Sequence, residues 1–283
     1  MNAIARPYPR TEGNRMRDQS FAAERIDTGK PHPARMYDYY LGGHDNHEVD
    51  RRAADRLVEQ YPDVLPSARA NRDFLLRAVR TVADAGIRQI VDIGTGIPTS
   101  PNTHEVARES APDTRVVYID NDPIVATHAR ARLTSAPGTG FVHADLRDPE
   151  AILRHPVVRE IIDFEQPVAL ILVAVLHFVP EEDDPAGIVA TLTKALPRGS
   201  HLVLSHGTLD FHDHIGDEAA EIHRSSTASL HLRSHPELTP LFDGFELLDP
   251  GLVQVPLWRP EGALPEVEVL RRVGVYGGIG VKD

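Results

Sequence analysis

The chain has 283 residues, 41% of them apolar and 25% charged, with a formal net charge of −12 and no cysteine. A membrane-spanning helix needs about 20 consecutive apolar residues, and the strongest run, "VALILVAVLHFV" at 168–179, is too short and reads as a buried strand. The missing cysteines exclude disulfides, thiolate metal sites and a cysteine nucleophile, and they fit a reducing, cytoplasmic setting. The acidic balance lacks the basic face with which a free-standing nucleic-acid binder displaces counterions, the arginines near the N-terminus being the local exception.

Residues 1–25 mix proline, glycine and arginine without the apolar centre of a signal peptide and are expected to form a flexible tail. Residues 32–62 read as two helices broken at Gly42-Gly43. In 67–86, Phe74, Leu75, Ala78, Val79 and Val82 recur at helical spacing, with Ser67 placed as N-cap and Gly86 as stop. These segments make residues 26–86 a helical cap, ahead of a core at 87–283.

From there the pattern alternates. Strands are expected at 88–94, 115–120, 140–145, 168–175 and 199–207, with helices at 103–111, 123–133, 149–156 and 185–196. Such a series builds a mostly parallel sheet with helices on both faces. Helices are expected again at 212–230 and 234–244, and the strand-like runs 245–260 and 270–283 close the chain as an antiparallel hairpin. A parallel five-strand core with a terminal hairpin, seven strands in all, is the layout of the class I, Rossmann-like methyltransferase fold in the α/β class.

In an open parallel sheet, ligands bind beyond the carboxyl ends of the strands. The first strand runs into "DIGTGIP", with Asp92, Gly94, Thr95 and Gly96 at the turn. A dinucleotide site wants a third glycine opening directly into a helix. Here that position is Thr99, and Pro98 and Pro101 delay the helix. The second strand ends in "YIDNDP", where Asp120 is placed to meet a ribose diol and its neighbour Asn121 to contact the same cofactor. The third ends in "HADLRDP", where Asp145 is placed to accept from an adenine amino group and the Leu146 backbone to donate to the ring. Together the three ends point to S-adenosylmethionine. Each also has a structural alternative: the glycines shape a tight turn, and the aspartates cap helices, as Asp122 is expected to do.

The sequence resembles an actinobacterial family of S-adenosylmethionine-dependent methyltransferases long catalogued as a domain of unknown function. The resemblance runs from about residue 25 to the C-terminus and rests on "ARMYDYYLGGHDN" (34–46), "ARANRDFL" (68–75), "DIGTGIPTSPNTHEVA" (92–107), "YIDNDPIV" (118–125), "HADLRDP" (143–149), "AVLHFVP" (174–180) and "YGG" (276–278). It implies the class I fold and adenosylmethionine binding, and it leaves the acceptor open.

The remaining candidates follow from where class I ligands sit. The cap is expected to fold over the strand ends as a lid, with Tyr39 against the adenosyl or sulfonium group and Asn46 or Arg72 on the methionine carboxylate; half-buried packing is the alternative for the tyrosines. Val173 and Ala174 are expected to line the adenine pocket. His177 is the candidate for acid–base work or acceptor positioning, with His206 second. The fourth strand lacks the (Asn/Asp)-Pro-Pro-(Tyr/Phe) ending of enzymes that methylate nucleic-acid bases, which leaves a small-molecule acceptor. His212 and His214 are read as solvated, with no metal assigned. Two other functions stay open: a non-catalytic adenosylmethionine-binding regulatory module, and a nicotinamide-dependent oxidoreductase.

Overall fold

Three helices precede the first strand: α1 (Pro33–Tyr40), α2 (Glu48–Gln60) and α3 (Val64–Asp84). The computed structural model describes residues 29–211 and 230–283. The tail expected at 1–25, and all but the last position of the helix expected at 212–230, lie outside the described residues.

The alternation then unfolds as β1 (Gln89–Ile93), α4 (Thr103–Ser110), β2 (Arg115–Asp120), α5 (Pro123–Arg132), β3 (Thr139–His143), α6 (Pro149–Arg154), α7 (Pro156–Ile161), β4 (Ala169–Val173), α8 (Pro185–Lys194) and β5 (His201–Gly207). Strands β6 (Phe245–Leu247), β7 (Val253–Gln254) and β8 (Val275–Lys282) follow. Four of these helices start alike, on a side chain that caps a proline-led first turn. Asp122 accepts from Ile124 N at 2.6 Å, Asp148 from Ala151 N at 3.0 Å, His155 from Val157 N at 3.2 Å and Asp184 from Gly187 N at 2.9 Å. Proline has no N–H to waste at that position, and its fixed φ suits the helix.

The sheet runs β3-β2-β1-β4-β5-β8-β6, with the two-residue β7 also pairing β8. The path has the seven strands expected. β1 to β5 are mutually parallel, and β8 enters antiparallel between β5 and β6, pairing Ser205 with Gly277 and Gly207 with Val275. Both faces are covered, so the central strand β4 is apolar throughout. Alternate residues feed two cores: Ile90, Val116, Tyr118, Ile171 and Val203 pack on the α3–α4–α5 side. Val91, Val117, Ile119, Leu170, Leu172 and Leu202 pack on the other. A third, smaller cluster of Met36, Tyr40, Ala53, Ala54 and Ala68 holds α1, α2 and α3 together.

Three sequence expectations are corrected. Helix α3 begins at Val64, before Ser67. Proline at position 66 is tolerated because a first turn has unpaired N–H groups in any case. Ser67 is inside the helix, and its Oγ accepts from Gly274 N at 3.0 Å. The 245–260 run is two short strands, because Pro250 lacks an N–H and the turn closes through Gly251 N to Leu248 O at 2.7 Å. The helix after β3 is two, split where His155 ends one and caps the next. Among the described residues no helix is long and apolar enough to cross a membrane.

Candidate active site

The carboxyl ends of β1 to β5 and the start of β8 share one rim, because β8 runs antiparallel to β5. α1, α2 and α3 lie across that rim, and between them and the strand ends is a cavity of about 730 Å³. That is within the roughly 300–1,000 Å³ of small-molecule sites.

The β1 turn contributes Asp92, Gly94, Thr95 and Gly96 to the cavity wall. Gly94 and Gly96 have φ of 75° and 65°, in the left-handed region that glycine enters without cost. A Cβ on Gly94 would sit 2.5 Å from Val175 Cγ2, whereas one on Gly96 would meet nothing within 4 Å. The first glycine is required by packing; the second keeps open the space that a ligand would take. Gly96 N donates to Asp120 Oδ2 at 2.8 Å, and Asp122 N to Asp120 Oδ1 at 2.9 Å. The end of β2 is thereby locked to the β1 turn, with one further lone pair left on each oxygen. Burial pushes the Asp120 carboxyl above its ordinary range. Asn121 lines the cavity beside it. Asp92 is buried, accepts from Thr103 Oγ1 at 2.6 Å, and is pushed by burial to a pKa of about 6.

Beyond β3, Asp145 and Leu146 also reach the cavity. Asp145 is held by its second neighbour: Arg147 Nε donates at 3.0 Å to Oδ1 and Nη2 at 2.6 Å to Oδ2. That pairing keeps the Asp145 carboxyl below its usual range. Arg147 lines the cavity too and was not anticipated from the sequence, although an arginine two residues after a strand-end aspartate was visible there.

Val173, Ala174 and His177 come from the end of β4. Ala174 holds φ at 54°, strained for a residue with a Cβ. A buried relay supports it: Ala174 N donates to Ser205 Oγ at 3.0 Å, Ser205 Oγ to Asn71 Oδ1 at 2.5 Å, and Asn71 Nδ2 to Tyr37 Oη at 2.9 Å. Tyr37 belongs to α1 and lines the cavity, so the relay ties the lid to the strained turn. Burial takes the Tyr37 phenol up to about 12.

His177 Nδ1 accepts from Gly207 N at 3.3 Å. Burial, with His206 and Arg233 close by, holds its imidazole neutral well below the ordinary histidine range. His206 does not line the cavity. Its Nδ1 is 2.7 Å from Gly207 O, its Nε2 is 2.9 Å from Arg233 Nη1, and burial lowers its pKa to about 4. Arg233 spends all five of its N–H groups, on Glu181, Leu176 O, Val179 O and His206. It pins the loop after β4 to the segment before His235 across 52–57 residues of sequence.

The lid contributes Arg72, whose Nη2 donates to Thr99 O and Pro101 O, each at 2.6 Å, so part of its capacity secures the glycine loop it faces. Tyr39 and Asn46 are not brought to the cavity. The Tyr39 hydroxyl donates to Asp55 Oδ1 at 2.9 Å on the outer side of the lid. Asn46 Nδ2 donates to Asp38 Oδ2 at 2.8 Å and to Gly43 O, while Arg51 Nη1 donates to Asn46 Oδ1 at 2.9 Å. Asn46 therefore shapes the turn between α1 and α2, and the α1 tyrosines that line the cavity are Tyr37 and Tyr40. Among the described residues no cluster of three His, Asp or Glu could hold a metal, and His212 and His214 lie outside them.

A family model described as S-adenosyl methyltransferase matches residues 19–283. Two solved structures are similar over nearly the whole chain. A DUF574 family protein from Streptomyces avermitilis is 44% identical, with 92% of this chain and 100% of that one covered at a TM-score of 0.86. A putative methyltransferase from Thermobifida fusca is 40% identical, with 93% and 99% covered at a TM-score of 0.85. A comparison with curated proteins finds no match. The chain belongs to the S-adenosyl methyltransferase family and is an enzyme that uses S-adenosylmethionine as its methyl donor.

Proposed function

We propose that the adenosyl half of S-adenosylmethionine lies on the β1–β2–β3 end of the rim and that a small-molecule acceptor enters over β4, β5 and β8, beneath α2 and α3. The observation that carries this reading is a single cavity extending from Asp145 and Leu146 to Gly207 and Val275, past the Gly96 turn. The residues present fit the cofactor. Asp120 offers its two remaining lone pairs to a ribose diol, and Gly96 leaves room above the turn. Leu146, Val173 and Ala174 border the adenine, and Asp145 accepts from its amino group beside Arg147. Arg72 and Asp92, with the Thr95 and Asn121 backbone, face the amino-acid tail.

Bound there, the cofactor supplies a sulfonium methyl group that is already activated for displacement. The protein's part is alignment and exclusion of water, which supply much of the barrier reduction in such transfers. Tyr37, through Asn71 and Ser205, fixes the lid and the Ala174 turn together, and Arg233 fixes the loop carrying His177. A cavity that continues beyond the adenosyl end favours an enzyme over a regulatory module that only binds the cofactor. The net charge of −12 fits a small molecule in preference to nucleic acid, and the cysteine-free chain fits a cytoplasmic enzyme. Calorimetric titration with S-adenosylmethionine and S-adenosylhomocysteine tests the reading. Both should bind, and Asp120→Ala should lose about 1.5–3 kcal/mol of that affinity; no heat from either ligand at millimolar concentration would contradict it.

A further inference from the structure

The cavity lining includes an apolar set of Met36, Leu57, Val64, Leu75, Phe178 and Val275. The charged side chains lining the cavity either have partners within the protein or belong, like Asp120, to the set placed against the cofactor above. Asp63 meets Arg272 at 2.9 Å, Arg72 meets two loop carbonyls, Asp92 meets Thr103, Asp145 meets Arg147, and His32 Nδ1 is 2.9 Å from Asp122. Outside the residues placed against the cofactor, an ionic acceptor would meet no unpaired charged side chain among these.

Two polar groups in the lining stand apart: the buried Tyr40 hydroxyl, which has no hydrogen-bond partner among the described residues, and the His177 imidazole, the one with a fixed donor. A backbone N–H can donate to His177 Nδ1 only if that nitrogen carries no proton, and the donor here is Gly207 N. A neutral imidazole so held has its single proton on Nε2. Among the described residues Nε2 has no hydrogen-bond partner, on a half-buried side chain that lines the cavity. His177 in this tautomer presents a donor. Its one lone pair faces Gly207, so it offers no basic nitrogen to the cavity.

Resting on the cofactor placement above, we propose that the methyl acceptor is an uncharged, mainly apolar molecule carrying a hydrogen-bond-accepting oxygen or ring nitrogen, and that His177 Nε2–H is the donor that orients it. His177 is a positioning and specificity-determining residue, and it removes no proton from the acceptor. A site built to satisfy one donor discriminates sharply against molecules that leave it unpaired.

The test uses the full chain saturated with S-adenosylhomocysteine and four bicyclic probes: quinoline, naphthalene, 2-naphthoate and 1-naphthylmethylammonium, with binding read by ligand-observed NMR. Quinoline should bind best, roughly three- to tenfold tighter than naphthalene, and both charged probes should bind more weakly than quinoline. In His177→Phe the quinoline preference should vanish, and in His177→Gln, which restores a donor, it should return in part. Histidine ¹⁵N spectra of the unsubstituted protein should place the His177 proton on Nε2, a readout that needs no variant. A proton on Nδ1, equal binding of quinoline and naphthalene, a charged probe binding tightest, or no probe binding at all would overturn the proposal. Failure of S-adenosylhomocysteine itself to bind would instead overturn the cofactor placement.

Discussion

Arg35 and Asp122 meet at 3.3 Å with both side chains buried, across the seam between α1 and the loop that ends β2. The same guanidinium donates to Asp50 Oδ2 at 3.2 Å, and Asp50 also accepts from His32 N and His47 N. One arginine thus joins α1, α2 and the core. The Asp122 backbone N–H in turn steadies Asp120, so the lid is anchored one residue pair away from the proposed ribose site.

Removing that arginine strands two buried carboxylates. Arg35→Met should cost about 3–5 kcal/mol of stability, the usual penalty for breaking a buried ion pair from one side. The double variant Arg35→Met with Asp122→Asn should lose less than the sum of the two single variants, because the second change removes one of the stranded charges. Urea denaturation of the three variants measures this; additive losses would show that the pair does not couple lid and core.

The two glycines of the β1 turn should separate folding from binding. Gly94→Ala combines a φ of 75° with a clash against Val175, and should lose about 2–4 kcal/mol of stability. Gly96→Ala meets no neighbour and should lose only about 1–2 kcal/mol through its φ of 65°. Gly96 lines the cavity, however, and a methyl there competes with the ligand for space, so the affinity of Gly96→Ala for S-adenosylhomocysteine should fall at least tenfold at a temperature where the protein is fully folded. Thermal melts and calorimetry on the two variants distinguish these outcomes.

Asp92 and His206 should respond to acid with opposite sign. The Asp92 carboxyl, raised by burial to about 6, binds its proton more readily folded than unfolded. Its contribution is fully present below its unfolded pKa of about 4 and is lost as the pH rises through 6. His206, lowered by burial to about 4, has the opposite sign: its contribution is present above about 6.5 and is lost as the pH falls through 4. Between pH 4 and 6 the two slopes offset each other. Asp92→Asn keeps an acceptor for Thr103 and removes the falling slope, so stability measured against pH should climb more steeply from pH 4 to 6 than in the unsubstituted protein. An unchanged profile would mean that Asp92 titrates normally.

The sequence made the strand ends legible because they depend on local signals. Apolar runs bounded by glycine and aspartate located the turns holding Gly94, Gly96, Asp120 and Asp145, and the βαβ alternation placed them on one rim. The lid was harder to read. Tyr39 and Tyr37 sit two residues apart with equal claims, and only the packing of α1 on α3 turns Tyr37 inward, to donate to Ala68 O at 3.0 Å. Arg35, Asp38 and Asp50 look like ordinary charges on amphipathic helices, yet all three are buried by tertiary contacts that no periodicity records. Arg233 reaches its partners across more than fifty residues of sequence. The tautomer of His177 depends on a backbone N–H from another strand and has no trace in the sequence around it.

The most direct test is a crystal structure of the full chain with S-adenosylhomocysteine. Ribose hydroxyls should lie on the free lone pairs of Asp120, adenine beside Leu146 and the thioether above Gly96, with open space next to His177. Density for the ligand elsewhere, or an empty rim with Asp120 meeting only Gly96 N and Asp122 N, would contradict this placement.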